Sequence, residues 1–224
     1  MDVEVSYRPF GTMARLLLEA NESVNIEPGA MIGMSANVDM RSGVKGGLLK
    51  GVKRMFGGEN FFQNTYTANH EVGDVLISQR LPGDITVLDV PQHNLRLVSS
   101  AYIAGHRDVE IITRFSGFKG MFSGAGLFTM EAKASGPQQQ IVVGAYGGIT
   151  EMECDGTIVI DSGHLVAWDA NLEYSIRKGG SGWIQSFLSG EGLVVRFRGE
   201  GRIWMQSRNA ASFGRLLGPK LPPV

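Results

Sequence analysis

Residues 28–40 read PGAMIGMSANVDM, and the same pattern returns twice, as SSAYIAGHRDVEI at 99–111 and as SGHLVAWDANLEY at 162–174. Apolar and polar residues alternate in the last part of each stretch, as in Val38-Asp39-Met40, which is typical of a half-buried β-strand. We therefore expect each stretch to form one strand. A segment that returns three times indicates that a single β unit is repeated along the chain, so one repeat predicts the whole fold.

The residues around the three stretches extend this repeat over most of the chain. A short apolar run precedes each stretch, and a glycine-bounded connection and a further strand follow it. Pairs such as Pro28-Gly29 are expected to join the apolar run to the stretch as a hairpin turn. The approximate repeats are 13–84, 85–148 and 149–208, followed by a tail at 209–224.

The composition predicts a single all-β domain over 1–224. The 31 glycines exceed the usual share of about 7% and suit many tight turns between short strands. Three such units are expected to pack around a pseudo-threefold axis as a β barrel or prism; the less favoured alternative is a linear solenoid, which would leave exposed edges that need caps. Ile32, Ile103 and Val166 hold the same position in the three units, so we expect them to share one environment.

Charge and cysteine content limit the function classes. The net charge is −1, which argues against general electrostatic binding to nucleic acid, although it leaves room for a local basic patch; we expect no DNA partner and no RNA partner. Cys154 is the only cysteine, so no intrachain disulfide can form. The N-terminal residues lack the pattern of a secretory signal, and no window approaches the roughly 18 apolar residues of a membrane span. These features predict a cytoplasmic protein.

Glycine-bounded connections with large apolar residues lie inside each repeat, at 43–58, 117–124 and 179–190. Repeat symmetry places them at one end of the body, where an apolar patch is typical of an interface. Lysine and arginine in the first connection favour contact with a partner or an anionic membrane surface. The alternative is that the connections plug the barrel or mediate self-association. The predicted interaction surface comprises Leu48, Leu49, Lys53, Arg54, Met55, Phe56, Phe122, Trp183 and Phe187.

No catalytic or cofactor-binding motif appears in the sequence. The glycine-rich segments match neither the dinucleotide fingerprint nor the P-loop, and the four histidines lack metal-ligand spacing. We therefore expect no enzyme activity, no cofactor and no catalytic residue. Asp39, Glu110 and Glu173 align in the repeat, and they form either a ring of oxygen ligands for a cation or the solvated side of three strands.

Several motifs carry a family resemblance over residues 28–209. They are PGAMIGMS (28–35), GGENFFQNTYTA (57–68), LPGDI (81–85), AYGGI (145–149), GHLVAWD (163–169) and GEGLVVRFRGEGRIWMQSR (190–208). The chain resembles the altered inheritance of mitochondria 24 family, in its bacterial and archaeal branch, whose members have no settled biochemical activity. The resemblance implies a β domain similar to the tryptophan RNA-binding attenuation protein. It transfers neither a ligand nor any site residue.

Together these observations predict a non-enzymatic scaffold or interaction protein. It is expected to form a homo-oligomer and to contact a protein partner or a membrane surface peripherally. The apolar and basic tail at 213–224 joins that surface, packs on a neighbouring subunit or is disordered. The alternative function is a small-molecule or nucleic-acid binding module, by analogy with the attenuator-like fold.

Overall fold

The computed structural model of the chain describes residues 1–42, 63–115, 128–178 and 193–222. These residues form seventeen β-strands and a short C-terminal helix, α1, at Ala210–Leu217. The predicted all-β class is confirmed. The strands are β1 Asp2–Ser6, β2 Met13–Leu18, β3 Ser23–Ile26, β4 Met31–Met34, β5 Val38–Ser42, β6 Asn64–Ala68, β7 Gly73–Ser78, β8 Gly83–Asp89, β9 Leu95–Val98, β10 Tyr102–His106, β11 Glu110–Phe115, β12 Phe128–Lys133, β13 Gln140–Tyr146, β14 Ile149–Asp161, β15 Leu165–Asp169, β16 Glu173–Lys178 and β17 Leu193–Gln206.

The described strands form three antiparallel sheets. The first has the order β1-β2-β7-β4, and the second has the order β5-β6-β3-β10-β13-β8. The third has the order β11-β12-β9-β15-β17-β14, with β16 beside β17. The second and third sheets therefore each join strands from two different parts of the chain.

One pairing order occurs in three groups of strands, which we call set 1 (β2–β7), set 2 (β8–β13) and set 3 (β14–β17). The trios β2-β7-β4, β8-β13-β10 and β14-β17-β15 correspond, as do β5-β6-β3, β11-β12-β9 and β16-β17-β14. In set 3 the long strands β14 and β17 each take the place of two shorter strands. The repeat boundaries and the pseudo-threefold axis stay predictions, because strand pairing does not define a symmetry axis.

The same irregularity lies in β4, β10 and β15. Each strand shifts its register against its partner by one extra residue, and that residue is Ile32, Ile103 or Val166. Their exposure differs nonetheless: Ile32 is 52% exposed, Ile103 is 2% exposed and Val166 is fully buried. The expectation of one shared environment is therefore wrong for Ile32, although its place in the strand is the expected one.

Two local predictions from the repeated stretches are also wrong. Each stretch forms two strands rather than one, because a tight turn interrupts it. The N–H groups of Val38, Val109 and Leu172 donate to the carbonyl oxygens three residues earlier, at 3.0, 3.0 and 3.1 Å. The predicted hairpin at Pro28-Gly29 is a corner instead, because β3 and β4 belong to different sheets.

Three clusters of buried apolar residues fill the body. Core 1 consists of set 1 residues and four residues of set 2, Ile85, Ile103, Ala104 and Val142. Core 2 consists of set 2 residues and three residues of set 3, Val166, Ala167 and Trp204. Core 3 consists of set 3 residues alone, namely Cys154, Ile160, Leu165, Trp168, Leu172, Val195, Phe197 and Ile203. Each of the first two cores is thus completed by the following set, whereas among the described residues no further set completes core 3.

Candidate interaction surfaces

The predicted interaction surface lies outside the described residues. The nine residues concerned fall within 43–62, 116–127 and 179–192. Leu48, Leu49, Lys53, Arg54, Met55, Phe56, Phe122, Trp183 and Phe187 therefore stay a prediction from the sequence.

Helix α1 presents apolar side chains to solvent. The side-chain oxygen of Asn209 accepts the N–H of Ser212 at 3.1 Å and so caps the start of the helix. The ring of Phe213 packs against Tyr146 with centroids 5.8 Å apart. Leu216, one turn further along, is 65% exposed, and every residue of the helix is exposed. The helix therefore contacts the body through Phe213 and leaves other apolar side chains uncovered.

The segment around α1 carries positive charge and no negative charge. Arg208 precedes the helix, Arg215 lies in its last turn, and Lys220 follows it. No aspartate or glutamate occurs between residues 207 and 224. The chain as a whole has a net charge of −1, so this segment is more positively charged than the rest of the chain. Positive charge beside apolar side chains favours an anionic contact surface.

A second uncovered apolar surface lies on β4, at the end of the first sheet. Ile32 and Met34 are both exposed there. In sets 2 and 3 the corresponding strands β10 and β15 continue the sheet by pairing with β3 and β9. Among the described strands, β4 pairs with β7 on one side and has no partner on the other.

The matching edge lies on the second half of β14. This strand ends the third sheet, and its residues Ile158–Ile160 correspond to β3 and β9 of the other sets. Val159 is 57% exposed, and Ile158 is half-buried. Neither edge was among the surfaces predicted from the sequence. The signal was available, because a row of three units leaves the first and the last unit without a neighbour unless the row closes into a ring.

A partly buried ion pair lies where β15 ends. Asp169 accepts the backbone N–H of Arg202 at 2.9 Å and its guanidinium at 3.1 and 3.2 Å, and Nε2 of His93 lies 3.2 Å away. Burial alone raises the pKa of Asp169, but the hydrogen bonds from Arg202 and His93 outweigh burial, so the net pKa is lowered. The carboxylate is therefore ionised and held in place, which is typical of a structural contact.

A similar arrangement fastens the N-terminal residues to β8. Asp84 is buried and accepts two hydrogen bonds from Arg8, at 2.9 and 2.7 Å, and one from the Thr12 hydroxyl at 3.2 Å. Burial raises the pKa of Asp84, and the bonds from Arg8, the Ile85 N–H and Thr12 lower it further than burial raises it. This carboxylate too is fully partnered, so neither pair offers a free acid or base.

The aligned acids Asp39, Glu110 and Glu173 are all exposed, on β5, β11 and β16. Within the described ranges, no group of three or more His, Cys, Asp or Glu side chains is placed to hold a metal ion. Cys154 is buried in core 3, and burial together with Asp155 raises the pKa of its thiol. Among the described helices, none is long and apolar enough to cross a bilayer.

Comparisons with known proteins give the chain a family. It is 31% identical over 216 residues to an uncharacterised protein of Streptococcus pyogenes serotype M6, covering 92% of this chain and 85% of that protein. A crystal structure of a Streptococcus pyogenes protein superposes with a TM-score of 0.84 at 28% identity, covering 98% of this chain and 99% of that one. The predicted likeness to the tryptophan RNA-binding attenuation protein stays a prediction. Residues 3–208 match the model of the family described as mitochondrial biogenesis AIM24, and the chain belongs to that family.

Proposed function

We propose that the protein is a non-enzymatic scaffold that docks on an anionic membrane surface. The observation that carries this proposal is helix α1, whose apolar side chains are uncovered and whose neighbours are basic. The segment 43–58 would add a second contact, because it also combines apolar side chains with lysine and arginine and has no acid.

Helix α1 has the composition of an interfacial anchor. Leu216 and Leu217 are one and two positions after Arg215, so the apolar side chains can enter the headgroup boundary while the guanidinium stays at the lipid phosphates. Two turns of helix give a weak anchor on their own. A second apolar and basic segment strengthens attachment, because membrane binding increases with buried apolar area and with attraction to anionic lipid.

Two features of the described residues support a role without catalysis. The buried carboxylates Asp84 and Asp169 are engaged by arginine, and their pKa values are lowered, so neither is suited to take or give a proton near neutral pH. The buried thiol of Cys154 has a raised pKa, which is opposite to the shift that activates a nucleophile.

Vesicle sedimentation tests the proposal. The full chain is expected to sediment with vesicles containing phosphatidylglycerol and to remain in solution with pure phosphatidylcholine. Leu216→Asp with Leu217→Asp is expected to weaken binding by at least about tenfold, because two apolar side chains no longer enter the interface and two negative charges are added. Leu49→Asp with Phe56→Asp is expected to weaken it as well. The matched control is Val72→Asp with Leu81→Asp, which replaces two exposed apolar side chains outside α1 and adds the same charge.

The salt dependence and the control separate this proposal from its alternatives. Binding should decrease as ionic strength rises, because screening weakens the attraction of Arg215 and Lys220 to lipid phosphate. No sedimentation with anionic vesicles at low salt would refute the proposal. Equal loss of binding in the control variant would show a general charge effect instead of a docking helix.

A further inference from the structure

We infer that a second copy of this chain covers β4, by pairing the Ile158–Ile160 part of its β14 with the open edge of β4. This contact lies on a different surface from helix α1, so it goes beyond the proposed function and can fail independently of it. Its basis is the way in which cores 1 and 2 are completed within one chain.

Corresponding residues of the next set complete core 1 and core 2. Ile103, Ala104 and Val142 of set 2 complete core 1. Val166, Ala167 and Trp204 of set 3 hold the same strand positions and complete core 2. One joint is thus built twice in the molecule, first between β3 and β10 and then between β9 and β15.

Core 3 has the receiving half of this joint, and set 1 has the inserting half. The receiving half is the Ile158–Ile160 edge of β14, beside the half-buried side chains of Ile176 and Met205. The inserting half corresponds to Ile32, Gly33 and Leu76, by the register of β4 against β7. Ile32 is exposed and Leu76 is half-buried, whereas their counterparts in sets 2 and 3 are buried. The two halves would therefore cover each other.

Neither edge carries a feature that prevents strand pairing. Edge strands of soluble proteins are usually protected by charged residues, proline or a bulge that turns the edge away. The sequence of β4 is MIGM, and the edge of β14 reads IVI, so both lack charge and proline. The bulge in β4 does not prevent pairing along its open edge. Strands β10 and β15 carry the same bulge, and each pairs with another strand along the corresponding edge.

The internal joints also give the register. Ile26, Asn25 and Val24 of β3 lie opposite Ala104, Gly105 and His106. Leu97, Arg96 and Leu95 of β9 lie opposite Ala167, Trp168 and Asp169. Carried to the open edges, this register places Ile160, Val159 and Ile158 of one copy opposite Gly33, Met34 and Ser35 of the next.

The two strands of the contact come from different sets: β4 belongs to set 1 and β14 belongs to set 3. The contact is therefore head to tail, and each added copy leaves the same two edges free until the row closes into a ring. Closure removes both edges and gives hydrogen-bond partners to the backbone groups along β4 and β14 that face no described strand.

A disulfide placed across the joint tests its register. In the internal joints, the N–H of Glu27 donates to the carbonyl oxygen of Ile103 at 2.7 Å, and that of Ala170 donates to the carbonyl oxygen of Asn94 at 3.2 Å. Hydrogen-bonded and non-hydrogen-bonded pairs alternate along an antiparallel ladder, so these bonds show which pairs are hydrogen-bonded. By the same alternation, Ser35 and Ile158 would form a non-hydrogen-bonded pair. Such pairs have Cα atoms about 4.5 Å apart, within the range that a disulfide bridges. Chains with Ser35→Cys and chains with Ile158→Cys, both carrying Cys154→Ala, are mixed and oxidised. We expect a covalent dimer whose linked peptides contain residues 35 and 158.

The control shifts the second cysteine by one residue. Val159→Cys in place of Ile158→Cys points its thiol to the opposite face of the strand, so it should not cross-link above background. Equal cross-linking by both cysteines, or by neither, would overturn the inference. A chain that carries both Ser35→Cys and Ile158→Cys gives a further check. If its two cysteines cross-link within the chain and no covalent dimer forms, the inference is overturned, because β4 would then pair with β14 of the same chain.

Assembly size gives a second measurement. Light scattering should give a mass that is a multiple of the 24.2 kDa chain, and Ile32→Lys with Met34→Lys should reduce it to a single chain. Met40→Lys, on an exposed side chain of β5, should leave the mass unchanged. A wild-type chain that stays at 24.2 kDa would refute the inference. The edge variant should still sediment with anionic vesicles if the proposed function holds, and Leu216→Asp with Leu217→Asp should still assemble.

Discussion

Strands β15 and β4 correspond in the repeat but have different surroundings. Strand β15 lies in the joint between sets 2 and 3, and β4 lies at the open edge of set 1. In the joint, β9 pairs with β15 and Val166 is fully buried. At the open end, β4 has the same bulge, but Ile32 is 52% exposed. The local sequence and strand geometry are alike in the two places. The burial of such a residue therefore depends on the neighbouring strand and not on the strand that carries it.

Replacing Ile103 should have the largest effect. Ile103→Ala removes a side chain that is 2% exposed in core 1, and we expect it to lower the free energy of unfolding by about 2–5 kcal/mol. Ile32→Ala, at the corresponding position, should change it by no more than about 0.5 kcal/mol in dilute single chains. Urea unfolding at low protein concentration measures both.

Raising the protein concentration should sharpen this contrast. If β4 is covered by a second copy, the cost of Ile32→Ala should increase with concentration, whereas the cost of Ile103→Ala should not. Equal costs for the two substitutions at high dilution would contradict the observed difference in burial.

Much of the architecture could be predicted from residues 28–40 and their two counterparts. The alternation of apolar residues identified the β class, and the alignment identified positions such as Ile32 and Val166 that occupy the same place in their strands. The alignment could not predict exposure, because a repeated sequence does not state whether the row of units closes. The alignment also did not predict the turn within each stretch. A single hydrogen bond closes that turn, such as the one from the N–H of Val38 to the carbonyl oxygen of Ser35, and it leaves the pattern of apolar residues unchanged.

The candidate surfaces were predicted less completely. The apolar and basic character of the tail was visible, and its helical part is the exposed helix α1. The edges of β4 and β14 were not identified, because an edge is a property of the sheet and not of the strand. The role of the connection at 43–58 stays a prediction, since it lies outside the described residues.

Replacing Asp169 should have an intermediate effect. Ser35, His106 and Asp169 correspond in the repeat, but Asp169 alone of the three forms an ion pair with arginine in the described structure. Asp169→Asn should lower the free energy of unfolding by about 1–3 kcal/mol, because the charged hydrogen bonds between the buried carboxylate and the partly exposed guanidinium of Arg202 are lost. Thermal unfolding near pH 7 measures the loss, and Asp39→Asn, on an exposed side chain, is the control.

The acid dependence of stability tests the same pair. The pKa of Asp169 is lower in the folded chain than in the unfolded chain, so the unfolded state binds a proton first. Its contribution is therefore complete above the unfolded pKa of about 3.9 and is lost as the pH falls through the lowered folded pKa. The difference in stability between the wild type and Asp169→Asn should shrink below about pH 4. A difference that stays constant down to pH 2 would exclude this carboxylate as its source.

The smallest effect is expected at Gly33, where sets 2 and 3 have Ala104 and Ala167. No heavy atom lies within 4 Å of a Cβ added at Gly33, so Gly33→Ala should raise the free energy of unfolding by up to about 1 kcal/mol, because alanine loses less backbone entropy in a strand. A Cβ at Gly144 would lie 2.6 Å from Cδ1 of Ile103, so Gly144→Ala should destabilise instead. Gly33→Ala should also preserve assembly, since both internal joints accommodate alanine at this position. If Gly33→Ala left each chain stable but prevented assembly, the contact made by β4 would differ from the two joints inside the chain.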